Sequence, residues 1–222
     1  MSKLLRIPAA RETWKIKRAQ RRPSSGDVFI ATEYSGLKAW LSRIIAIIAL
    51  AVLFLGVVSF RYPLKYLDII EKNTDIYRID PALICAVIHA ESKFAERAVS
   101  HKGASGLMQI TEGTADWIAG QMDLRDYSFN RIFEPSLNIS IGCRYLAWLM
   151  ARYENVDSAV AAYNAGSGNV DKWLKNSMYS ADGKTLRNIP FKETRDYVKR
   201  VRINKQIYDF ILQAMKFVKM IN

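Results

Sequence analysis

Between Ile44 and Phe60 the chain runs for seventeen residues without a charged side chain. A bilayer's hydrocarbon is ~30 Å thick and takes about 20 helical residues to cross. Extending the run back to Leu41, with Ser42 and Arg43 at the interface, reaches that length. Trp40 and Tyr62 then stand at its two ends as aromatic anchors. A buried helix of a soluble domain seldom goes so far without a charge. The sequence therefore predicts one membrane-spanning helix over residues 41–60 and a separate domain over 61–222.

Charge gives the span a direction. Residues 1–43 carry ten lysines and arginines against three acids, most of the +12 net charge of the chain. Basic residues flank the cytoplasmic end of a span, so residues 1–40 are expected in the cytoplasm and 61–222 outside it. Val57-Val58-Ser59 would pass as a signal-peptide cleavage site, but a charged leader of more than forty residues is long for a signal. An uncleaved, single-pass anchor is the expectation. The tail itself holds Pro8, Pro23 and little apolar periodicity, and reads as disordered. Its basic residues suit lipid headgroups; with no nucleic-acid-binding fold to carry them, no nucleic-acid partner is expected.

The two cysteines, Cys85 and Cys143, both fall in apolar helical segments, and two buried free thiols are expected, although a location outside the cytoplasm permits a disulfide. His89 and His101 are the only histidines, so no zinc-type spacing exists and no metal is expected. On a helical wheel His89 lies opposite Glu91, which predicts an exposed histidine.

Residues 61–222 are enough for one domain. Helical periodicity dominates, without alternating strand pairs, so the fold class is all-α. Leu64 to Ile76 predicts a first helix; Asp80-Pro81 supplies a cap and a first-turn proline for a second. Ile110 to Met122 predicts a third, with Thr111 as cap, and Asp126 to Pro135 a loop. A helix from Leu137 places Asn138 and Gly142 on one face, and a glycine there, costing up to ~1 kcal/mol against alanine, points to close packing. Asp157 is expected to cap a short helix, Ser158 to Tyr163, that ends in a glycine loop at 164–168. Residues 176–190 read as a polar loop, and Lys192 to Lys219 as a last helix.

Within the second helix, Ile84, Val87, Ile88 and Phe94 fall within roughly 60° of Glu91 when wound at 100° per residue. Glu91 thus sits on the stripe a helix buries, while Glu96 falls on the far side with Lys93 and Arg97. A carboxylate there is costly unless it is satisfied by an arginine or a backbone N–H, or is used for chemistry. Gly103 and Gly106 turn the chain just beyond and let the backbone approach a ligand, and Gln109 brings both donors and an acceptor. At Tyr163-Asn164 an aromatic face and an amide stand together at a helix end. That pair suits a sugar ring and its N-acetyl group, or equally an ordinary helix end with a packed tyrosine.

Four blocks in order carry a resemblance: Glu91-Ser92-x-Phe94 with Ala98-Val99-Ser100 and Gly103-Ala104-x-Gly106-Leu107-Met108-Gln109; Asn138-x-x-x-Gly142-x-x-Tyr145-Leu146; Ala162-Tyr163-Asn164-Ala165-Gly166; and Glu193-Thr194-Arg195-Asp196-Tyr197-Val198. Together, over roughly residues 77–201, they resemble the soluble lytic transglycosylase family, relatives of goose-type lysozyme that cleave the glycan strands of peptidoglycan. The chain departs at Thr111-Glu112, where the family often carries Met-Pro.

The resemblance implies a lysozyme-like helical domain that works without a cofactor, as a monomer, on peptidoglycan. It implies Glu91 as the catalytic acid and then base, and Ser100, Gln109, Tyr163, Asn164 and Tyr197 as residues that bind or orient the saccharide and Glu91. Most glycosidases need a second carboxylate, and Glu112, Glu134 and Glu193 are weak candidates. A single acid suffices if the C6 hydroxyl of N-acetylmuramic acid attacks C1, giving a 1,6-anhydro product. The alternatives are a hydrolytic muramidase on the same fold and a catalytically silent glycan-binding scaffold, against which an intact Glu91 argues.

Overall fold

The computed structural model describes residues 25–221, with side chains from Lys38 onward. The elements are α1 (Ser25–Arg61), α2 (Leu67–Tyr77), α3 (Pro81–Ser92), α4 (Glu112–Gln121), a 3₁₀ turn (Phe129–Arg131), α5 (Pro135–Arg152), α6 (Val156–Ala165), α7 (Ser167–Leu174) and α8 (Lys192–Ile221). No strand forms among the described residues; only isolated bridges, Val99 to Ser105 and Ser105 to Ile110, tie one loop. The fold is all-α, as expected.

The chain divides into two units, Met1–Val58 and Ser59–Asn222. In the first, Lys38–Arg61 is a 24-residue stretch long and apolar enough to cross a membrane. At 1.5 Å per residue it measures ~36 Å. Ile45, Leu50 and Phe54 along it are exposed. The tail expected to be disordered over 1–40 is helical from Ser25 on, and its first 24 residues lie outside those described. No proline occurs between Pro23 and Pro63, and a helix once nucleated extends at little cost.

In the second unit α3 lies at the centre, packed chiefly against α8 and also against α2. Asp80 caps it, its carboxylate accepting from the Ala82 amide at 2.9 Å, and Pro81 opens the first turn. Ala82, Leu83, Ile84, Cys85, Ala86, Val87, Ile88 and His89 are all buried. A helix apolar on every side belongs in the middle of a domain. It stops at Lys93, which turns left-handed at φ 53° and donates its amide to the His89 carbonyl; Phe94 follows at φ 65°. Two successive left-handed residues, one an aromatic, are sparsely populated and need their surroundings to hold them. Phe94 is held by burial against His89 and Tyr208.

His89 is therefore not the exposed residue the helical wheel predicts; it is 3% exposed. The segment after α1 covers that face. The Tyr62 ring meets the imidazole edge-on at 4.8 Å and Tyr208 at 5.9 Å, while Arg61 Nη1 donates to Nε2 at 2.7 Å. Burial, then the charges of Arg61 and Lys93, push its pKa down to about 4, so it stays neutral.

Cys85 and Cys143 are free and buried, and burial raises both thiols above their ordinary range. At α6 the cap is Asn155 rather than Asp157: its Oδ1 accepts from the Asp157 and Ser158 amides at 2.9 and 3.2 Å. Asp157 instead pairs with Arg202. The expected glycine loop at 164–168 shrinks to one residue, Gly166 at φ 85°, with α7 beginning at Ser167.

Gly142 on α5 faces Met108, as its place mid-helix suggested. A methyl group there would stand 2.9 Å from the Met108 Cβ and closer to its sulfur. Helix propensity alone would make Gly142→Ala stabilising by up to ~1 kcal/mol. Overpacking costs about 1–3 kcal/mol and wins here, so urea unfolding should show Gly142→Ala less stable than wild type.

Candidate active site

The site is assembled from four segments: the end of α3, the loop that follows it, the end of α6 and the start of α8. Glu91 occupies the last turn of α3 and is half-buried. Burial raises its carboxyl to about 7. The Tyr197 hydroxyl and then Arg200 pull the other way, and Glu193 adds to the rise. Tyr197 is 1% exposed and its hydroxyl makes no hydrogen bond of ordinary geometry among the described residues. It lies close enough to Glu91 for each to perturb the other's titration. Tyr163 also feels the Glu91 charge, so two phenol hydroxyls share the carboxyl's surroundings.

The loop from Lys93 to Thr111 is built on backbone bonds. Ser100 Oγ accepts from the Ala104 and Lys102 amides at 3.1 and 3.3 Å. Gly106 sits at φ 81° and donates to the Ala98 carbonyl at 2.9 Å. A side chain at 106 would meet Asn138 Cγ at 2.8 Å and the Ile132 carbonyl at 3.0 Å, so both conformation and space require glycine. Gln109 is left-handed too, at φ 50°, and its Nε2 donates to the Ala98 and Gly106 carbonyls at 3.0 and 2.9 Å.

Asn138 pins this loop to α5. Its side chain, fully buried, donates to the Ser105 and Ile132 carbonyls at 3.0 and 2.9 Å and accepts from the Met108 amide at 2.7 Å. Tyr163 holds the same tip from the other side, its hydroxyl donating to the Met108 carbonyl at 2.9 Å. Asn164 is oriented by Thr194, whose hydroxyl donates to Oδ1 at 2.8 Å.

Thus Glu91, Tyr163 and Tyr197 form one electrostatically coupled group, and Ser100, Gln109 and Asn164 belong to the segments that frame it. Thr194 and Arg200 were missed by sequence reasoning. Each lies three residues from Tyr197 on α8, a helical neighbour spacing that would have found them. Arg200 also stands over the Tyr197 ring at 5.8 Å. Next to Tyr163 lies a further aromatic group, with Tyr145 at 5.3 Å, Trp148 stacked on Tyr145, and Trp117 edge-on to Trp148 at 4.9 Å.

Of the weak candidates for a second acid, Glu134 is held by Arg131 at 2.9 Å on the surface, and Glu112 is exposed in the first turn of α4. Only Glu193 has an effect on Glu91. Among the described residues no cluster of His, Cys, Asp and Glu could hold a metal ion.

The transglycosylase SLT domain matches residues 68–186, and the soluble lytic transglycosylase helical domain matches 188–216. The soluble lytic murein transglycosylase of Escherichia coli K12 is 36% identical over 155 residues, covering 68% of this chain and 24% of that protein. The membrane-bound lytic murein transglycosylase C of Salmonella paratyphi B is 35% identical over 136 residues, covering 57% of this chain and 38% of its own. The crystal structure of an inactive mutant of the lytic transglycosylase Slt of Pseudomonas aeruginosa superposes with a TM-score of 0.64 at 31% identity, over 71% of this chain and 26% of that one. The chain thus spans from about a quarter to under two-fifths of the length of these relatives. Since the match over 68–186 takes in more than half of its 222 residues, the chain belongs to the transglycosylase SLT domain family.

Proposed function

We propose that this protein is a membrane-anchored peptidoglycan lytic transglycosylase, cleaving the β-1,4 bond between N-acetylmuramic acid and N-acetylglucosamine. The observation that carries the reading is Glu91 itself, a half-buried carboxyl whose pKa burial lifts to about 7 beside two tyrosine hydroxyls. An acid with a pKa near the working pH can both give and take a proton. Relatives named as lytic transglycosylases, one of them membrane-bound, support the same reading.

In the proposed cycle Glu91 protonates the glycosidic oxygen as the bond to C1 breaks. The carboxylate so formed then accepts the proton of the muramic C6 hydroxyl as that oxygen bonds to C1. The product carries a 1,6-anhydro ring and no water is consumed. Tyr197 approaches the carboxyl and orients it. Tyr163 and Asn164 form one wall of the saccharide site, and Ser100 and Gln109 another. The two carbonyl bonds made by Gln109 Nε2 leave Oε1 to accept from sugar. The domain works outside the cytoplasm as a monomer, with residues 1–40 on the cytoplasmic side and one span between.

Acid–base catalysis is typically worth 10²–10⁴-fold, so Glu91→Gln, near-isosteric but unable to supply the proton, should reduce glycan release at least to that extent while circular dichroism stays that of wild type. Full activity in the folded variant would sink the mechanism.

The tethered C6 hydroxyl competes with water at an advantage of up to ~7–11 kcal/mol. Muropeptides released by the purified chain are therefore expected to end in 1,6-anhydro groups, lighter by one water than hydrolytic products. Mass spectra dominated by reducing ends would make the enzyme a hydrolase instead.

The raised acid also couples stability to pH. Below the ordinary glutamate range, near 4.5, both folded and unfolded chains hold the proton. Between there and about 7 the unfolded chain releases it first, so this group's stabilising effect is lost as pH rises. Glu91→Gln removes that dependence. The variant's Tm, relative to wild type, should therefore be higher at pH 8 than at pH 4.5, by the equivalent of up to about 3 kcal/mol. An unchanged difference across this range would contradict the assigned pKa.

A further inference from the structure

The outer half of α8 carries a pattern that the site does not use. Ile203, Ile207, Phe210, Ala214, Phe217 and Ile221 recur at alternating spacings of four and three, which lines them up along one side of the helix. Val201 and Tyr208, on the opposite side, are buried in the domain. Phe210, Phe217 and Ile221 are 73%, 60% and 66% exposed, and every residue from Lys216 to Ile221 is exposed. Val218 and Met220 flank the line and widen the apolar sector to about half the cylinder. Lys216 and Lys219 fall on the other side, and no acid follows Asp209 in the helix.

The position of this segment on the domain is fixed by Tyr208. Its hydroxyl donates to the Pro63 carbonyl at 3.3 Å, and its ring meets Tyr62 at 5.7 Å. Pro63 stands two residues beyond Arg61, the last residue of the apolar helix α1. Two residues of chain reach no more than ~7 Å. The middle of α8 therefore lies where the polypeptide leaves its apolar segment, and Ile221 follows Tyr208 by ~20 Å of helix.

We propose that Phe210–Ile221 lies in the interface of the same membrane. Its apolar side enters the acyl boundary, and Lys216 and Lys219 face anionic headgroups. The inference rests on the reading of α1 as a membrane span. A second copy of the chain is the competing occupant, since the four–three spacing is also that of a coiled coil. The flanking positions there would be Asn204, Gln206, Ile211, Gln213, Val218 and Met220. None carries the charge that sets partner and register in a two-stranded coil, and the sector is wider than its seam. Lipid is the better match.

The test uses the full chain in vesicles of phosphatidylglycerol and phosphatidylcholine, with an environment-sensitive dye on single introduced cysteines at Leu53→Cys, Lys216→Cys or Phe217→Cys. All three positions are exposed, and the native thiols are buried, so labelled wild type gives the background. Brominated acyl chains should quench the dye at 53 and at 217, and at 216 less than at 217. Quenching at 53 with none at 217, and free access of aqueous iodide to 217, would overturn the inference and spare the span. Protection of 217 from iodide without bromine quenching, together with energy transfer between labelled copies, would replace lipid by a second copy and overturn it as well. No quenching at 53 would remove the span itself, and the inference with it.

Discussion

The burial of α3 from Ala82 to His89 is the constraint on which the rest of the domain depends. Eight consecutive residues, Ala82 to His89, are buried, so every side of this stretch must be covered by another element. α8 covers most of it, α2 and the Tyr62 segment the remainder. Only the last turn emerges, and there the chain places Glu91. A carboxyl at the end of so buried a helix sheds much of its water, and that burial raises its pKa to about 7.

The loop beyond Glu91 is held to α5 and α6 by the polar side chains of Asn138 and Tyr163. Asn138 makes two hydrogen bonds with the loop tip, at Ser105 and Met108, and Tyr163 makes a third. A buried amide left unpaired costs about 1–3 kcal/mol, so the loop has one low-energy position on α5. Gly106 and Gly142 permit that approach because they carry no side chain. The left-handed backbone at Gln109 is thus held by contacts from α5 and α6, and that at Phe94 by burial against His89 and Tyr208.

The helices were legible in the sequence wherever a cap or an apolar period marked them; Asp80-Pro81 before α3 is the clearest case, and Glu91 on the apolar stripe followed from it. The failures share a cause. His89 was read from α3 alone, but which sides of a helix are covered depends on segments distant in sequence. Asp157 and Asn155 are both competent caps; the choice fell to Asn155 because Asp157 lies within reach of Arg202 on α8. The helix from Ser25 to residue 40 is an extension of an apolar helix, invisible in a stretch read for its own composition. Ser100 and Gln109 were assigned by motif, and nothing in their sequence revealed that their side chains also brace the loop.

The principal cover of α3 is α8, about a hundred residues further along the polypeptide. A segment delivered in order, N-terminal part first, leaves the α8-facing side of α3 uncovered until α8 arrives, and closing so long a loop comes late in folding. Glu91 gains its apolar surroundings, and Tyr197 its place beside it, in that same closing step. The surroundings of Glu91 are in this way completed only once synthesis has passed Tyr197, a delay contained in the order of the helices.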